Sequence, residues 1–214
     1  MKINFLVTGE GSSDLRLVAH IENILINEGF TEVRGEAPDL SLFQTPIGRT
    51  VREKLTVLAK YYPSADVIFV HRDADGAGIP AREREITDSA LNIFEMDRII
   101  PIIPSKMLET WLLADHTAIK RVAGNGSHAV NLGCVPATHL LENIPDAKKI
   151  LLEALCEASQ IQGARLKKFK NRFPEMRARL TCDLDSNGPI NQLNSYKQFR
   201  KNINIFSQRK LGMD

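Results

Sequence analysis

The feature that most constrains the fold is an unbroken run of four apolar residues, Val67-Ile68-Phe69-Val70, which a polar loop follows at once. A strand with one face in water alternates apolar and polar side chains, whereas a strand of a parallel sheet is covered on both faces. The run therefore predicts a central strand of a parallel sheet that has helices packed on both sides.

Other strand-like and helix-like patterns alternate with this run over the first 115 residues. Residues 4–7 and 98–103 are apolar runs with the character of strands, and residues 31–34 form a weaker extended stretch. Helical periodicity is found from about Ser13, over 48–62, from Pro80 through Ala90 and Phe94, and over 106–115. This order predicts right-handed βαβ crossovers and an α/β fold with a mainly parallel sheet.

The C-terminal half has a different character. Beyond residue 116 strand-like runs disappear, and helical patterns are predicted at 145–158, 168–180 and 194–203. Residues 161–214 contain 12 Lys and Arg against 4 Asp and Glu, a net charge of +8, so the remainder carries −6. We expect a domain at 1–116 and a mainly helical, basic extension at 117–214.

The composition is that of an ordinary globular chain, with 43% hydrophobic and 25% charged residues. Three cysteines, Cys134, Cys156 and Cys182, lie far apart, which favours reduced thiols in a cytoplasmic protein over a zinc site. The N-terminal segment lacks the length and cleavage site of a signal peptide, and no stretch approaches a membrane span. We therefore expect a cytoplasmic protein with no membrane partner.

Acidic residues follow the predicted strands at the points where those strands end. Glu10 comes after the first strand with Asp14 four residues on, Asp73 and Asp75 follow the apolar run, and Glu109 follows the last strand. Open parallel sheets bind ligands at the carboxyl ends of their strands, so these acids are expected at one edge. Their mutual repulsion would be offset by a divalent ion, and Mg²⁺ prefers carboxylate oxygens.

Each of these acids also has an ordinary structural explanation. Glu10 is suited to the N-terminus of a helix, Asp73 and Asp75 are suited to a turn before Gly76, and Glu109 is suited to a helix surface. For any single acid the structural explanation is the better one. Their joint occurrence after successive strands favours a shared site.

Three segments of this chain resemble the Toprim domain. FLVTGEGSSD is similar to the first Toprim motif, VIFVHRDADG to the second, and PIIPSKMLETWLLAD to the segment after the last motif strand. The resemblance covers residues 1–116 and extends to domain-of-unknown-function Toprim proteins and overcoming-lysogenization-defect-type nucleases of bacterial defence loci. It implies a Toprim-like (Rossmann-like) metal-binding domain and a nuclease that depends on Mg²⁺, with Mn²⁺ as a substitute.

The resemblance also implies roles for individual residues. Glu10 would be a general acid or base or a metal ligand, and Asp73 and Asp75 would hold metal. Asp14 and Glu109 would complete a second metal position.

The chain departs from the Toprim pattern at Lys106-Met107, where relatives often have acidic or histidine residues. Because of this departure, the sequence does not decide whether the site holds one metal ion or two. Lys106 would instead contact a phosphate or help to stabilise the leaving group.

A basic stretch in the C-terminal half is a candidate nucleic-acid surface. Its residues are Arg165, Lys167, Lys168, Lys170 and Arg172. Basic helices bind phosphate backbones, but they are equally common as solvated faces. Two other functions stay open at this point: a non-catalytic subunit that binds a nucleotide or an ATPase partner, and a phosphohydrolase of small phosphate esters.

Overall fold

The structure, a computed structural model, describes residues 1–11, 14–43, 47–127, 129 and 131–212 and is built on a parallel sheet. The strands are β1 (Lys2–Thr8), β2 (Glu32–Glu36), β3 (Val67–His71) and β4 (Ile99–Ile102). They lie in the order β2-β1-β3-β4, and every neighbouring pair is parallel. The predicted α/β fold with a parallel sheet is confirmed.

Strand β3 is the centre of the core. All five of its residues are buried, including His71. Val67 and Phe69 belong to one apolar cluster, while Ile68 and Val70 belong to another on the opposite face of the sheet. The unbroken apolar pattern thus has the cause inferred for it, burial on both faces.

Helices cover both faces of the sheet. They are α1 (Val18–Asn27), α2 (Val51–Tyr61), α3 (Ile79–Ala90), α4 (Glu109–Leu112), α5 (His116–Val122), α6 (Ala147–Ser159), α7 (Ala164–Asn171), α8 (Phe173–Cys182) and α9 (Asn194–Leu211). Side chains of α2 and α3 fill one cluster, and those of α1 and of the helices after β4 fill the other. The sheet is therefore the middle of three layers.

Local chemistry explains several helix boundaries in the first half. Thr50 and Glu53 form a reciprocal capping box at the start of α2. Pro80 lies in the first turn of α3, and the helix ends at Ala90, short of the predicted Phe94. Asn92 has a left-handed φ of 63°, a conformation that asparagine tolerates and that no helix can continue through.

The first helical segment also differs from its prediction. A 3-10 helix at Asp14–Leu17 precedes α1, and the predicted starting residue, Ser13, lies outside the described residues. The predicted helix at 106–115 is confined to the four residues of α4.

The helix predicted at 168–180 is wrong in its continuity, since α7 and α8 divide at Arg172. Pro174 stands in the first turn of α8 and has no N–H to donate, and its ring would clash with the carbonyl four residues before it. A proline at this position therefore starts a new helix.

The C-terminal helices share one core with the sheet. His20 of α1 is 2.9 Å from the hydroxyl of Tyr196 of α9, and the indole of Trp111 donates to the hydroxyl of Ser195 at 2.9 Å. Phe69 of β3 makes an edge contact with the ring of Phe199. The division predicted at 116/117 thus marks the change from strands to helices along the chain without a break in the packing.

The length and polarity of the helices bear on membrane insertion. Among the described ranges, none of the helices combines the length and the apolar character that a membrane crossing requires.

Candidate functional site

In parallel α/β folds the strand order indicates where along the sheet a ligand binds, and here it points to one place. The chain runs from β1 to β2 on one side, and then crosses to β3 on the other side of β1. Helices α1 and α2 correspondingly cover opposite faces. The carboxyl ends of β1 and β3 therefore border a crevice, the topological switch point, at which such sheets bind ligands.

Glu10 lies at this switch point beside the end of β3. Thr8 pairs with Val70 in the register of the two strands, so two residues further on Glu10 comes next to Arg72. The Glu10 Oε1 atom is 2.6 Å from Arg72 Nη1. Glu10 therefore lies beside the start of the loop that carries Asp73 and Asp75.

The loop that carries Asp73 and Asp75 is fastened to the segment after β4. The N–H of Asp75 donates to the carbonyl of Lys106 at 2.9 Å, and a carboxylate oxygen of Asp73 accepts from the N–H of Leu108 at 3.0 Å. Asp75 has a left-handed φ of 43°. The D-x-D sequence thus forms an irregular turn that the segment after β4 holds in place.

Two arginines and a glutamate that were not among the predicted site residues complete this edge. Glu85 of α3 accepts from Nη2 of Arg72 at 3.1 Å and from Nη1 of Arg82 at 2.8 Å. Arg82 also donates through Nε to the carbonyl of Asp73 at 3.0 Å and lies 3.8 Å from Asp75. The three-residue spacing of Arg82 and Glu85 on a helix that opens directly after the D-x-D loop was the available signal.

The electrostatics of this edge are those of interleaved opposite charges. Burial raises the pKa of Glu85, but hydrogen bonds from Arg82 and Arg72 outweigh it and hold that pKa below its usual value. The hydrogen bond to Glu85, together with the charges of Glu10 and Asp75, raises the pKa of Arg82. The arginines therefore offset part of the repulsion between these acids, and the role expected of a divalent ion stays a prediction.

Two more cations lie on the other side of Glu10. Lys54 of α2 donates to the carbonyl of Gly9 at 2.6 Å. Arg49, just before the helix, lines a narrow cleft together with Lys54, Glu10 and Arg72. Lys54 and Arg49 thus add positive charge near Glu10 to that of Arg72.

Glu109 is buried against a helix of the C-terminal half. Its side chain is 4% exposed, and its Oε1 atom is 2.7 Å from Nε of Arg177 on α8. Leu108, its neighbour, is bound to Asp73, so the ion pair connects the D-x-D loop to α8. Glu109 is therefore not the surface acid that its ordinary structural explanation suggested, because it is buried and pairs with an arginine.

The remaining predicted site residues are less fully described. Asp14 begins the 3-10 helix after β1, but its side chain lies outside what the structure describes. Lys106 is partly exposed, and its backbone carbonyl is the acceptor for the N–H of Asp75.

The residue types at this edge suit a metal ion, but their side chains are not arranged as a complete metal site in the part of the chain that the structure describes. Glu10, Asp73 and Asp75 offer the oxygen donors that Mg²⁺ prefers, from two adjacent strand ends. Within the described part of the chain, no three His, Cys, Asp or Glu residues form a group that could hold a metal ion. In this structure Glu10 contacts Arg72 through Oε1.

The basic stretch forms the outer face of α7. The side chains of Arg165, Lys167, Lys168 and Lys170 are exposed, while Phe169 is buried in the core. Arg172 is exposed and forms an ion pair with Glu175 at 3.0 Å. The helix therefore has an apolar inner face and a basic outer face, and its binding of nucleic acid stays a prediction.

A cavity of about 810 Å³ lies away from this edge, along α2 between Phe43 and Tyr61. It adjoins residues 44–46, which lie outside the described ranges. Its walls contain one acid, Glu53, which is engaged in the capping box of α2.

Comparison of the chain with family models, with curated proteins and with solved structures finds no match.

Proposed function

We propose that this protein is a Toprim-like nuclease, which hydrolyses phosphodiester bonds of nucleic acid at the switch point between β1 and β3 with Mg²⁺ or Mn²⁺. The observation that carries the proposal is the contact between Glu10 and Arg72, because it brings the acid after β1 beside the D-x-D loop after β3. The three free cysteines agree with action in the cytoplasm, where thiols stay reduced. A role in bacterial defence against phage is part of the same proposal.

The chain's own residues have distinct tasks in this proposal. Glu10, Asp73 and Asp75 would hold the cation, which supplies activation of water and neutralisation of charge on the phosphoryl oxygens. Two hydrogen bonds, from the N–H of Leu108 to the Asp73 carboxylate and from the N–H of Asp75 to the Lys106 carbonyl, hold the D-x-D turn in one geometry without a bound cation. Lys106, next to this turn, would contact a phosphate.

Asp14 and Glu109 are the proposed ligands of a second metal position, and the claim of Glu109 is weakened by its ion pair. For Glu109, binding a cation would mean breaking a buried ion pair with Arg177. The exposed lysines of α7 are proposed to hold the nucleic-acid backbone, as clustered basic side chains do in other proteins.

The test is degradation of a panel of single- and double-stranded DNA and RNA in Mg²⁺, in Mn²⁺ and in EDTA. Glu10→Gln and Asp73→Asn are expected to reduce cleavage about 100-fold or more, as loss of a group acting at the reacting atoms does. Asp88→Asn is the matched control, because Asp88 lies on the exposed side of α3. Cleavage at the wild-type rate by both site variants would refute the proposal.

A second candidate is a non-catalytic subunit that binds a nucleotide or an ATPase partner. It is favoured by the way arginines engage the acids, with no metal-holding group among the described residues. Calorimetric titration with Mn²⁺ separates the two candidates. Heat of binding that Asp73→Asn abolishes favours the nuclease, whereas no binding combined with inactivity of the isolated chain favours the subunit.

A further inference from the structure

The cavity along α2 has exposed aromatic and aliphatic side chains in its wall. Phe43 and Tyr61 both line it, and the centroids of their rings are 4.8 Å apart with the ring planes tilted by 56°. Tyr61 is 53% exposed, and Leu42, which also lines the cavity, is 81% exposed. Large apolar side chains that meet water around a concave surface are typical of a binding site, because a ligand that covers them is stabilised by their burial. The volume of about 810 Å³ is in the range of sites for small organic groups.

The charged groups along this part of the chain are mainly cationic. Residues 47–61 contain four Lys and Arg, at positions 49, 52, 54 and 60, against one Glu, a net charge of +3. The acid, Glu53, is turned to the backbone at the start of α2, where the N–H of Thr50 donates to its carboxylate at 3.1 Å. The negative charge is therefore held at one end of the cavity, and the cations favour an anionic ligand.

Within the described ranges, Lys60 and Arg52 line the cavity with N–H groups left for a ligand. Lys60 Nζ lies 5.1 Å from the centre of the Tyr61 ring, a cation–π contact that involves no hydrogen-bond acceptor atom. Arg52 donates through Nη1 to the carbonyls of Asp88 and Leu91, at 3.4 and 3.5 Å, and these bonds orient the guanidinium group. Since an ammonium has three donors and a guanidinium five, both side chains can also donate to a phosphate.

The start of α2 lies between this cavity and the switch point. Thr50 lines the cavity, and its neighbours Arg49 and Val51 line the narrow cleft that also contains Glu10. The two concave surfaces therefore meet at the N-terminus of one helix. A ligand made of linked units can extend from the cavity over this helix end to Glu10.

From these observations we infer that the cavity holds an unpaired base of a single-stranded nucleic acid, which stacks on Tyr61 and Phe43 while Lys60 and Arg52 bind its phosphates. The inference rests on the proposed function and deepens it, because it assigns the substrate to the single-stranded class. Every base has a face that stacks on an aromatic ring, and the phosphates beside it require cations. A base inside a duplex is stacked between its neighbours, so it does not reach such a cavity unless it is extruded.

The experiment measures the affinity for a fluorescein-labelled oligothymidine by anisotropy in EDTA, so that binding is read without cleavage. Two further probes have the same length: the duplex of this strand, and an abasic strand that keeps the sugars and phosphates but has no bases. The wild-type protein is expected to bind the oligothymidine about tenfold or more tightly than the abasic strand, and more tightly than the duplex.

Tyr61→Ala is expected to weaken oligothymidine binding about tenfold and to leave the affinity for the abasic strand unchanged, since only the base loses a contact. Tyr61→Phe keeps the ring and should bind as the wild type does. Ile26→Ala is the matched control, because Ile26 is exposed to a similar extent, 54%, on α1 at the opposite face of the sheet. Lys60→Gln should make the slope of log K against log salt concentration less steep by about 0.7 for both single strands.

Thermal unfolding verifies that each variant is folded. Equal affinity of the wild type and Tyr61→Ala for oligothymidine overturns the inference, as does equal binding of oligothymidine and the abasic strand by the wild type. Two results would give the cavity another occupant and also overturn it. Self-association in sedimentation that Tyr61→Ala abolishes, with unchanged oligonucleotide affinity, would assign a second copy of the chain, and thymidine monophosphate bound as tightly as the strand would assign a free nucleotide.

The outcome for this site is separate from the outcome for the proposed function. Binding with the expected pattern by a protein that cleaves no nucleic acid overturns the nuclease proposal and leaves the base site standing. Cleavage that depends on Glu10, by a protein whose Tyr61→Ala variant binds oligothymidine as the wild type does, overturns the base site alone.

Discussion

Replacing Glu109 by glutamine discriminates between a structural acid and a metal ligand. The Glu109 carboxylate is 4% exposed and 2.7 Å from Nε of Arg177, whose side chain is 16% exposed. Glutamine has nearly the same shape, so the substitution removes only the negative charge that lies 2.7 Å from a largely buried arginine. If the ion pair is the main role of this acid, the loss falls on stability.

The size of the effect follows from the distance and the burial. At 2.7 Å and an effective dielectric constant of about 20, the attraction between two unit charges has an upper bound of ~6 kcal/mol. Removing one partner of a buried pair typically costs ~3–5 kcal/mol, and partial exposure of Arg177 favours the lower end. A loss of ~3 kcal/mol corresponds to a decrease of about 6–12 °C in Tm for a chain of this size.

The assay is urea unfolding at neutral pH of the wild type, Glu109→Gln, Arg177→Met and the double variant. The double variant should be more stable than the sum of the two single losses predicts, because each single substitution already removes the same Glu109–Arg177 interaction. Glu175→Gln on α8 is the control for the same substitution in an exposed ion pair, and it should change the midpoint little.

The outcome that would refute this reasoning is specific. If Glu109→Gln unfolds at the wild-type urea concentration and at the same time loses Mn²⁺ binding, then Glu109 is a ligand and its contact with Arg177 is incidental. Loss of stability with intact Mn²⁺ binding removes Glu109 from the metal set.

Three further predictions concern pH, packing and salt. Burial lowers the pKa of His20 from 6.5 to about 4. Between these two pH values the unfolded chain therefore binds a proton that the folded chain does not. The contribution of neutral His20 to the free energy of unfolding is complete above pH 6.5, and it falls by ~3 kcal/mol as the pH drops to 4. Urea unfolding at several pH values should show this loss, and His20→Phe should reduce it. Gly35→Ala should destabilise the protein by ~1–3 kcal/mol, because the added Cβ would lie 2.2 Å from the ring of Phe5. For nucleic-acid binding, Lys167→Gln should make the slope of log K against log salt concentration less steep by about 0.9. Lys148→Gln on α6 should leave this slope unchanged.

Each of these has a simple contrary result. An unchanged pH dependence in His20→Phe would mean that this histidine does not remain neutral in the folded protein. Gly126→Ala, where the nearest atom is 3.9 Å from the added Cβ, is the control for Gly35, and equal effects would rule out a steric cause. Equal salt slopes for the two lysine variants would separate α7 from the nucleic-acid surface.

Much of the fold could be predicted because its signals are local. The apolar run at β3, the proline in the first turn of α3 and the breaks between elements act within a few residues, so the sequence reveals them directly. The acids at the strand ends were found for a related reason. The carboxyl ends of parallel strands meet at one edge, so that Glu10 and Asp73 could be brought together from element order alone.

The partners of those acids could not be predicted in the same way. Arg72 and Arg82 are close to the motif in sequence, but the contact of Arg72 with Glu10 depends on the register of β1 and β3, and the contacts with Glu85 depend on how α3 lies against β3. The buried pair of Glu109 and Arg177 joins residues far apart in the chain. Side-chain periodicity carries no information about such long-range contacts.

By itself the sequence therefore determined the element order and the parallel sheet, because each depends on patterns repeated over a few residues. Only the tertiary structure decided which charges neutralise the acids at the strand ends, and that the C-terminal helices share the core of the sheet. The physical reason is range: burial patterns are written into each segment, whereas an ion pair exists only where the packing of distant segments brings opposite charges within a few ångströms.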